Sequence, residues 1–156
     1  MKKTISINLI NRVLFVIILF CGDNVSYAQI AIVVNKENPV NNLSFQELQK
    51  IYLGEMTSFS RGNTIVLGVD ADLKQKFITI LLNWSELNYK KHWMKMIFSG
   101  ESHVAPKELK RAEELNTFIS QNRGSIAFID ITKVDKDLKI LTIDGKEPGS
   151  KDYPLN

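Results

Sequence analysis

Three charged side chains crowd the stretch "VDADLKQ", residues 69–75, where an apolar run ending in Val69 meets a helical pattern. A strand-to-helix junction of this kind can hold an anion. The first amides of the helix point outward without partners, and the helix dipole adds roughly half a positive charge there. Here Asp70 and Asp72 stand at that mouth. Either carboxylate can accept the amides itself, as a capping residue does. Lys74 lies one turn from Asp70 and is expected to pair with it. The favoured expectation is a junction that caps itself. A site that meets an amine or a protonated oxyanion stays open, because a carboxylate can accept a hydrogen bond from either. In open α/β sheets, ligands bind outside the carboxyl ends of the strands, and by that rule Lys36, Asp70, Asp72 and Thr132 are the candidate ligand-binding residues.

The other chemistry-bearing residues form no set. His92 and His103 are the two histidines and match no metal-ligand spacing. Ser44, Ser85, Ser99 and Ser125 have no G-x-S-x-G context, so no nucleophile is expected. Gly62, Gly68 and Gly145 make no dinucleotide fingerprint and read as turn or packing glycines. Trp84 and Trp93 fall on apolar helix faces and are expected in the core. Lys90, Lys91 and Lys95 read as a solvated helix face that, with His92, could form a modest docking patch. No catalytic residue, metal or cofactor is implied.

The elements that must position these residues follow from periodicity. "IAIVVN" (30–35) is continuously apolar, as a strand covered on both faces would be. Ser44 and Glu47 fit a capping box, with Phe45, Leu48 and Ile51 as the buried stripe and Gly54 past the helix end. "TIVLGV" (64–69) is a second strand. It feeds a helix carrying Leu73, Phe77, Ile80, Leu81 and Trp84, and a further helix opens at Ser85 with Tyr89, Trp93, Met96 and Ile97 on one side. A third helix is expected from Pro106, through Leu109, Ala112, Leu115 and Ile119, to Gly124. "SIAFID" and "KILTID" are the last strands. Strands separated by helices imply crossovers, so the class is α/β, a mixed, mostly parallel sheet flanked by helices.

The chain has 156 residues, 44% of them hydrophobic and 24% charged, enough for one domain with a real core. Residues 1–28 have the build of a cleavable secretory signal: basic Lys2, Lys3 and Arg12, an apolar run from Val13 to Phe20, and small side chains at Ser26 and Ala28 that place cleavage before Gln29. The run falls far short of the roughly 20 residues a spanning helix needs. A short buried helix is the alternative, but Asp23 and Asn24 interrupt its pattern. Phe20 is too large to precede a lipidated Cys21. The expectation is a signal over 1–28, an exported, periplasmic domain over 29–156, and no thiol in that domain, since Cys21 is the single cysteine. Removing the signal takes away three basic residues and one acidic one, Asp23, so the formal charge falls from +3 to +1. No basic face argues for nucleic acid.

Longer stretches carry a resemblance. "IAIVVNKENPVNNLSFQELQKIYLGEMTSF" resembles the opening of the second lobe of the periplasmic phosphate-binding proteins of ABC transporters. "FISQNRGSIAFID" and "LTIDGKEPGSKDYPL" are similar to a later strand and the return segment of those proteins. "NYKKHWMKMIFSGESHVAPKEL" looks like the small single-lobe members of that superfamily. The resemblance implies a single periplasmic-binding-protein-like lobe and an extracytoplasmic address. In the phosphate receptors the second-lobe junction usually carries an Arg and a Gly-Ser-Gly-Thr-like loop, and "VDADLKQ" has neither. What is implied is a non-catalytic solute-binding-like module with weak or altered affinity for a small anion or other small solute. The alternative is a periplasmic protein-interaction domain that docks on a membrane-bound sensor, transporter or porin without a small ligand.

Overall fold

The computed structural model describes residues 29–59, 63–102 and 104–156. Residues 1–28, on which the expectation of a signal falls and which include Cys21, lie outside the described residues, as do Gly62 and His103.

Strand β1 (Ile30–Asn35) is buried at every position and occupies the interior of a five-stranded sheet. The sheet order is β4 (Lys107–Leu109), β3 (Val66–Asp70), β5 (Ser125–Asp130), β1, β6 (Leu138–Ile140). β3 pairs in parallel with both β4 and β5, whereas β1 pairs antiparallel with β5 and β6. Four strands thus run one way and β1 alone runs the other, which is the mixed, mostly parallel sheet expected.

The continuous apolar runs bury both sheet faces through the period-two alternation of side chains. Ile30, Ile32 and Val34 of β1, with Ile126 and Phe128 of β5, enter one apolar cluster, and Val33, Ala127 and Ile129 enter the other. The first face is covered by helices α1 (Phe45–Tyr52), α2 (Lys74–Leu82) and α3 (Glu86–Phe98), and the second by α4 (Ala112–Gln121). At the centre of the first face Phe77 stacks on Phe128 with ring centroids 3.9 Å apart, and Tyr52 meets Phe77 edge-on at 4.8 Å. Among the described residues, both clusters draw on positions from Ile30 to Leu155.

The capping box forms as the sequence implies: the Glu47 amide donates to Ser44 Oγ at 3.1 Å, and the Ser44 amide donates to Glu47 Oε2 at 2.8 Å. Two elements differ from expectation. Residues 107–109 form an edge strand instead of a helical turn, and α4 begins only at Ala112, after the extended Arg111. The exposed edge of β3 supplies these residues with backbone partners, and Leu109 reaches the α4 cluster from the strand just as it would from a helix. At its other end α4 stops at Gln121, before the extended Asn122, and Gly124 beyond it passes so close to Thr64 that a Cβ there would strike the Thr64 carbonyl.

"KILTID" does not form one strand. β6 pairs with β1, the chain turns away at Leu141, and β7 (Thr142–Ile143) pairs in parallel with β2 (Asn42–Leu43) in a small second sheet. The turn after β7 has positive φ at Asp144 (50°) and Gly145 (72°), which glycine and short polar residues tolerate. Asp144 Oδ1 then accepts the Phe45 amide at 3.0 Å, joining the turn to the start of α1.

Candidate functional site

β3 and β5 are parallel neighbours, so their carboxyl ends meet at one edge of the sheet. Each ends in an aspartate, Asp70 and Asp130. Asp70 Oδ1 accepts the amides of Asp72 at 2.9 Å and Leu73 at 3.2 Å, just ahead of α2. Asp130 Oδ1 accepts the Thr132 amide at 2.9 Å and the Thr132 hydroxyl at 2.8 Å, opening a 3-10 turn over Ile131–Lys133. These carboxylates hold the amides of Asp72, Leu73 and Thr132, whereas Leu73, the N-cap of α2, has no side-chain cap, so the closure expected at the helix start forms in the turn ahead of it and not on its first amides. Asp70 is buried and Asp72 exposed. Burial pushes the Asp70 carboxyl above its usual range, the two amide hydrogen bonds oppose that shift, nearby Asp72 adds to it, and Lys133 opposes it.

Asp70, Asp72 and Thr132 share this edge, but Lys36 does not. Because β1 runs against its neighbours, its start at Ile30 faces Asp130, and its end at Asn35 faces Leu138 on the opposite side of the sheet. Lys36 follows Asn35 there, exposed and 3.8 Å from Asp137. Counting Lys36 among strand-end residues assumed that β1 ran with the others, and its antiparallel direction removes it from the group.

Lys74 also departs from expectation. Its Nζ reaches Glu108 on β4 at 2.7 Å and Glu86 at the start of α3 at 3.2 Å. Partial burial would lower the ammonium pKa, yet the bonds to Glu108 and Glu86 outweigh it and hold the pKa above the usual lysine value. The sequence spacing pointed to Asp70 one turn away, whereas the tertiary fold brings two carboxylates from other elements closer to the lysine end. Beside this ion-pair network lies a cavity of about 570 Å³, with Val69, Tyr89, Trp93, Ile97 and Pro106 among its lining residues.

His92, Ser44, Ser85 and Ser125 are engaged in structure, whereas the buried Tyr89 hydroxyl and Trp93 Nε1, both of residues lining this cavity, have no hydrogen-bond partner. His92 Nε2 lies 2.8 Å from the Leu53 carbonyl, which requires the proton on that nitrogen for a hydrogen bond. Ser44 and Ser85 cap α1 and α3, and the buried Ser125 hydroxyl donates to backbone carbonyls of Asn122 and Ile119. Trp93 is core and Trp84 packs against it partly buried, but Ile97, expected inside, is 41% exposed. Among the described residues, no group of three or more His, Cys, Asp or Glu side chains is placed to hold a metal ion. No described helix is long and apolar enough to cross a membrane.

Sequence reasoning missed Asp130, Glu86 and Glu108. Asp130 carried a usable signal, since "DIT" after a strand-length run repeats the pattern of "DAD" after β3: an aspartate able to close a turn onto the amide two residues on. Glu86 and Glu108 carried none, because they lie 12 and 34 positions from Lys74 in sequence.

No family model matches the sequence. Similar folds are found among solved structures. An ABC-type phosphate transport receptor from Vibrio cholerae matches with a TM-score of 0.65 and 23% identity, over 81% of this chain and 52% of the receptor. A putative phosphate ABC transporter substrate-binding protein from Clostridium perfringens, solved with bound phosphate, matches with a TM-score of 0.60 and 23% identity, over 76% of this chain and 46% of that one. PstS from Borrelia burgdorferi matches with a TM-score of 0.59 and 16% identity, over 77% and 49% of the two chains. The chain thus spans about half the length of the structures it matches. It has a periplasmic-binding-protein-like fold, shared with these phosphate receptors over one lobe-sized part of their length.

Proposed function

We propose that this chain is a non-catalytic, extracytoplasmic solute-binding-like module whose edge site has weak or altered anion affinity. The fold likeness to phosphate receptors supports a solute-binding role. The observation that carries the altered affinity is the pair of aspartate-closed turns, where Asp70 accepts the Asp72 and Leu73 amides and Asp130 the Thr132 amide at the carboxyl ends of β3 and β5. A phosphate dianion arriving at this edge meets Asp70, Asp72 and Asp130, and like charges at short range repel. A cationic amine or a protonated oxyanion suits the same carboxylates better.

Thermal unfolding of the chain from Gln29 onward, with and without phosphate, sulfate and small amines, tests this. A ligand at a hundred times its dissociation constant stabilises by about 3 kcal/mol. Phosphate and sulfate are expected to leave the unfolding temperature unchanged. Saturable stabilisation by phosphate would overturn the proposal. The same titration on Asp70→Ser with Asp72→Gly asks whether freeing the amides creates an anion response, and continued indifference would count against this edge as a solute site.

A further inference from the structure

One stripe of α3 forms a wall of the 570 Å³ cavity. Glu86, Tyr89, Lys90, Trp93, Met94 and Ile97 all line it, and their spacing of i, i+3, i+4, i+7, i+8 and i+11 puts them on a single helical face. Across from them the cavity is lined by Val69 of β3, Glu108 of β4 and Pro106 just ahead of that strand. A space of this volume with mostly apolar walls and a few polar groups is the usual form of a site for a small organic molecule.

Two polar atoms of that wall are unpaired. Tyr89 is 4% exposed and Trp93 7%, yet neither the Tyr89 hydroxyl nor Trp93 Nε1 has a hydrogen-bond partner. A buried polar group left unpaired weakens the fold, and phenylalanine at position 89 would fill the same space without that penalty. The two side chains stand one helical turn apart with their rings edge-on, 6.3 Å between centroids. Burial raises the pKa of the Tyr89 hydroxyl, and the neighbouring Trp93 indole offsets part of the rise. The hydroxyl therefore keeps its proton at neutral pH and can donate it, while the indole N–H can only donate. Both groups suit an acceptor oxygen.

The charges of the cavity are already balanced. Glu86 and Glu108 share Lys74, so an anion would compete with two carboxylates for that lysine, and a cation would have to displace the lysine from them. We infer that this cavity binds a small uncharged amphipathic molecule, its carbonyl-type oxygen accepting from the Tyr89 hydroxyl and the Trp93 indole and its apolar body lying against Leu87, Met94 and Ile97. Side chains cover both donors, and the half-exposed Met94, flexible and unbranched, is the lining residue best able to yield to the incoming oxygen. This inference is independent of any solute at the Asp70 edge.

The test uses the protein purified from expression of the full chain, as the cell processes it, with octanamide and octanoate as probes in titration calorimetry. Octanamide is expected to bind saturably and at least about tenfold more tightly than octanoate, which has the same chain but a charged head. Tyr89→Phe should weaken octanamide binding about tenfold while the unfolding temperature of the ligand-free protein stays level or rises. Ala105→Phe, at an exposed lining position, narrows the cavity and should weaken binding by a similar factor. Should Tyr89→Phe fail to fold, Ala105→Phe still decides. Excess methylamine, a probe of the Asp70 edge, should leave octanamide binding unchanged, and competition between them would place octanamide at that edge and overturn the inference. Absence of octanamide binding, octanoate binding of equal strength, or octanamide binding that survives both substitutions overturns it as well.

Discussion

Asp70 and Asp130 end neighbouring parallel strands, and each turns a carboxylate oxygen onto the amide two residues ahead, at 2.9 Å in both cases. Two strand ends that would otherwise offer amide hydrogens to a ligand are closed from within. The closure at Asp70 costs something, because its carboxylate is buried.

That cost gives Asp70 a distinctive pH signature. A carboxyl whose pKa is higher in the folded protein than in the unfolded chain holds more protons when folded, so its contribution to stability is lost as pH rises from the ordinary aspartate value, about 4, through the raised one. Asp70→Asn keeps an oxygen that can accept both amides and removes the charge. It is expected to match or exceed the parent at neutral pH, with its advantage growing as pH rises through that window. Asp70→Ala loses the two turn hydrogen bonds and should cost about 1 kcal/mol. Denaturant titrations from pH 3 to pH 8 check both, and an asparagine variant that loses ground with rising pH would contradict the burial account.

At Glu47 the sign is opposite. Hydrogen bonds from the Ser44 amide and then the Ser44 hydroxyl hold its carboxyl below the usual range. The stability it adds is present above the unfolded glutamate value and is lost as pH falls through the lowered one. Ser44→Ala should cost about 1 kcal/mol at neutral pH and leave a shallower acid loss, read from unfolding curves at neutral and acid pH.

Gly68 is a packing position in the middle of β3. A Cβ there would come within 2.9 Å of the Ala127 Cβ on β5 and 3.1 Å of the Phe118 ring on α4. Gly68→Ala is expected to destabilise by about 1–3 kcal/mol through overpacking. Gly68→Ala combined with Phe118→Leu should recover part of that loss, which chemical denaturation of the three chains would measure.

The α/β class, β1, the capping box of α1 and the buried stripe of α1 were legible in sequence because each depends on residues within a few positions of one another. An aspartate-closed turn at Asp70 was legible too, since a carboxylate reaches an amide two residues away in any fold that turns there, but the helix cap expected of it is absent because α2 starts only after Leu73. Pro106 shows where local rules gave out. Its helical signal was outcompeted by the unpaired edge of β3, which offered residues 107–109 backbone partners that the sequence pattern does not contain. The placement of charges was decided by tertiary structure alone. Lys36 left the candidate edge because β1 runs antiparallel, and Lys74 left Asp70 because β4 and α3 bring Glu108 and Glu86 to it. Local hydrogen bonds and periodicity are written into neighbouring residues, but strand direction and long-range ion pairs exist only once distant segments have packed.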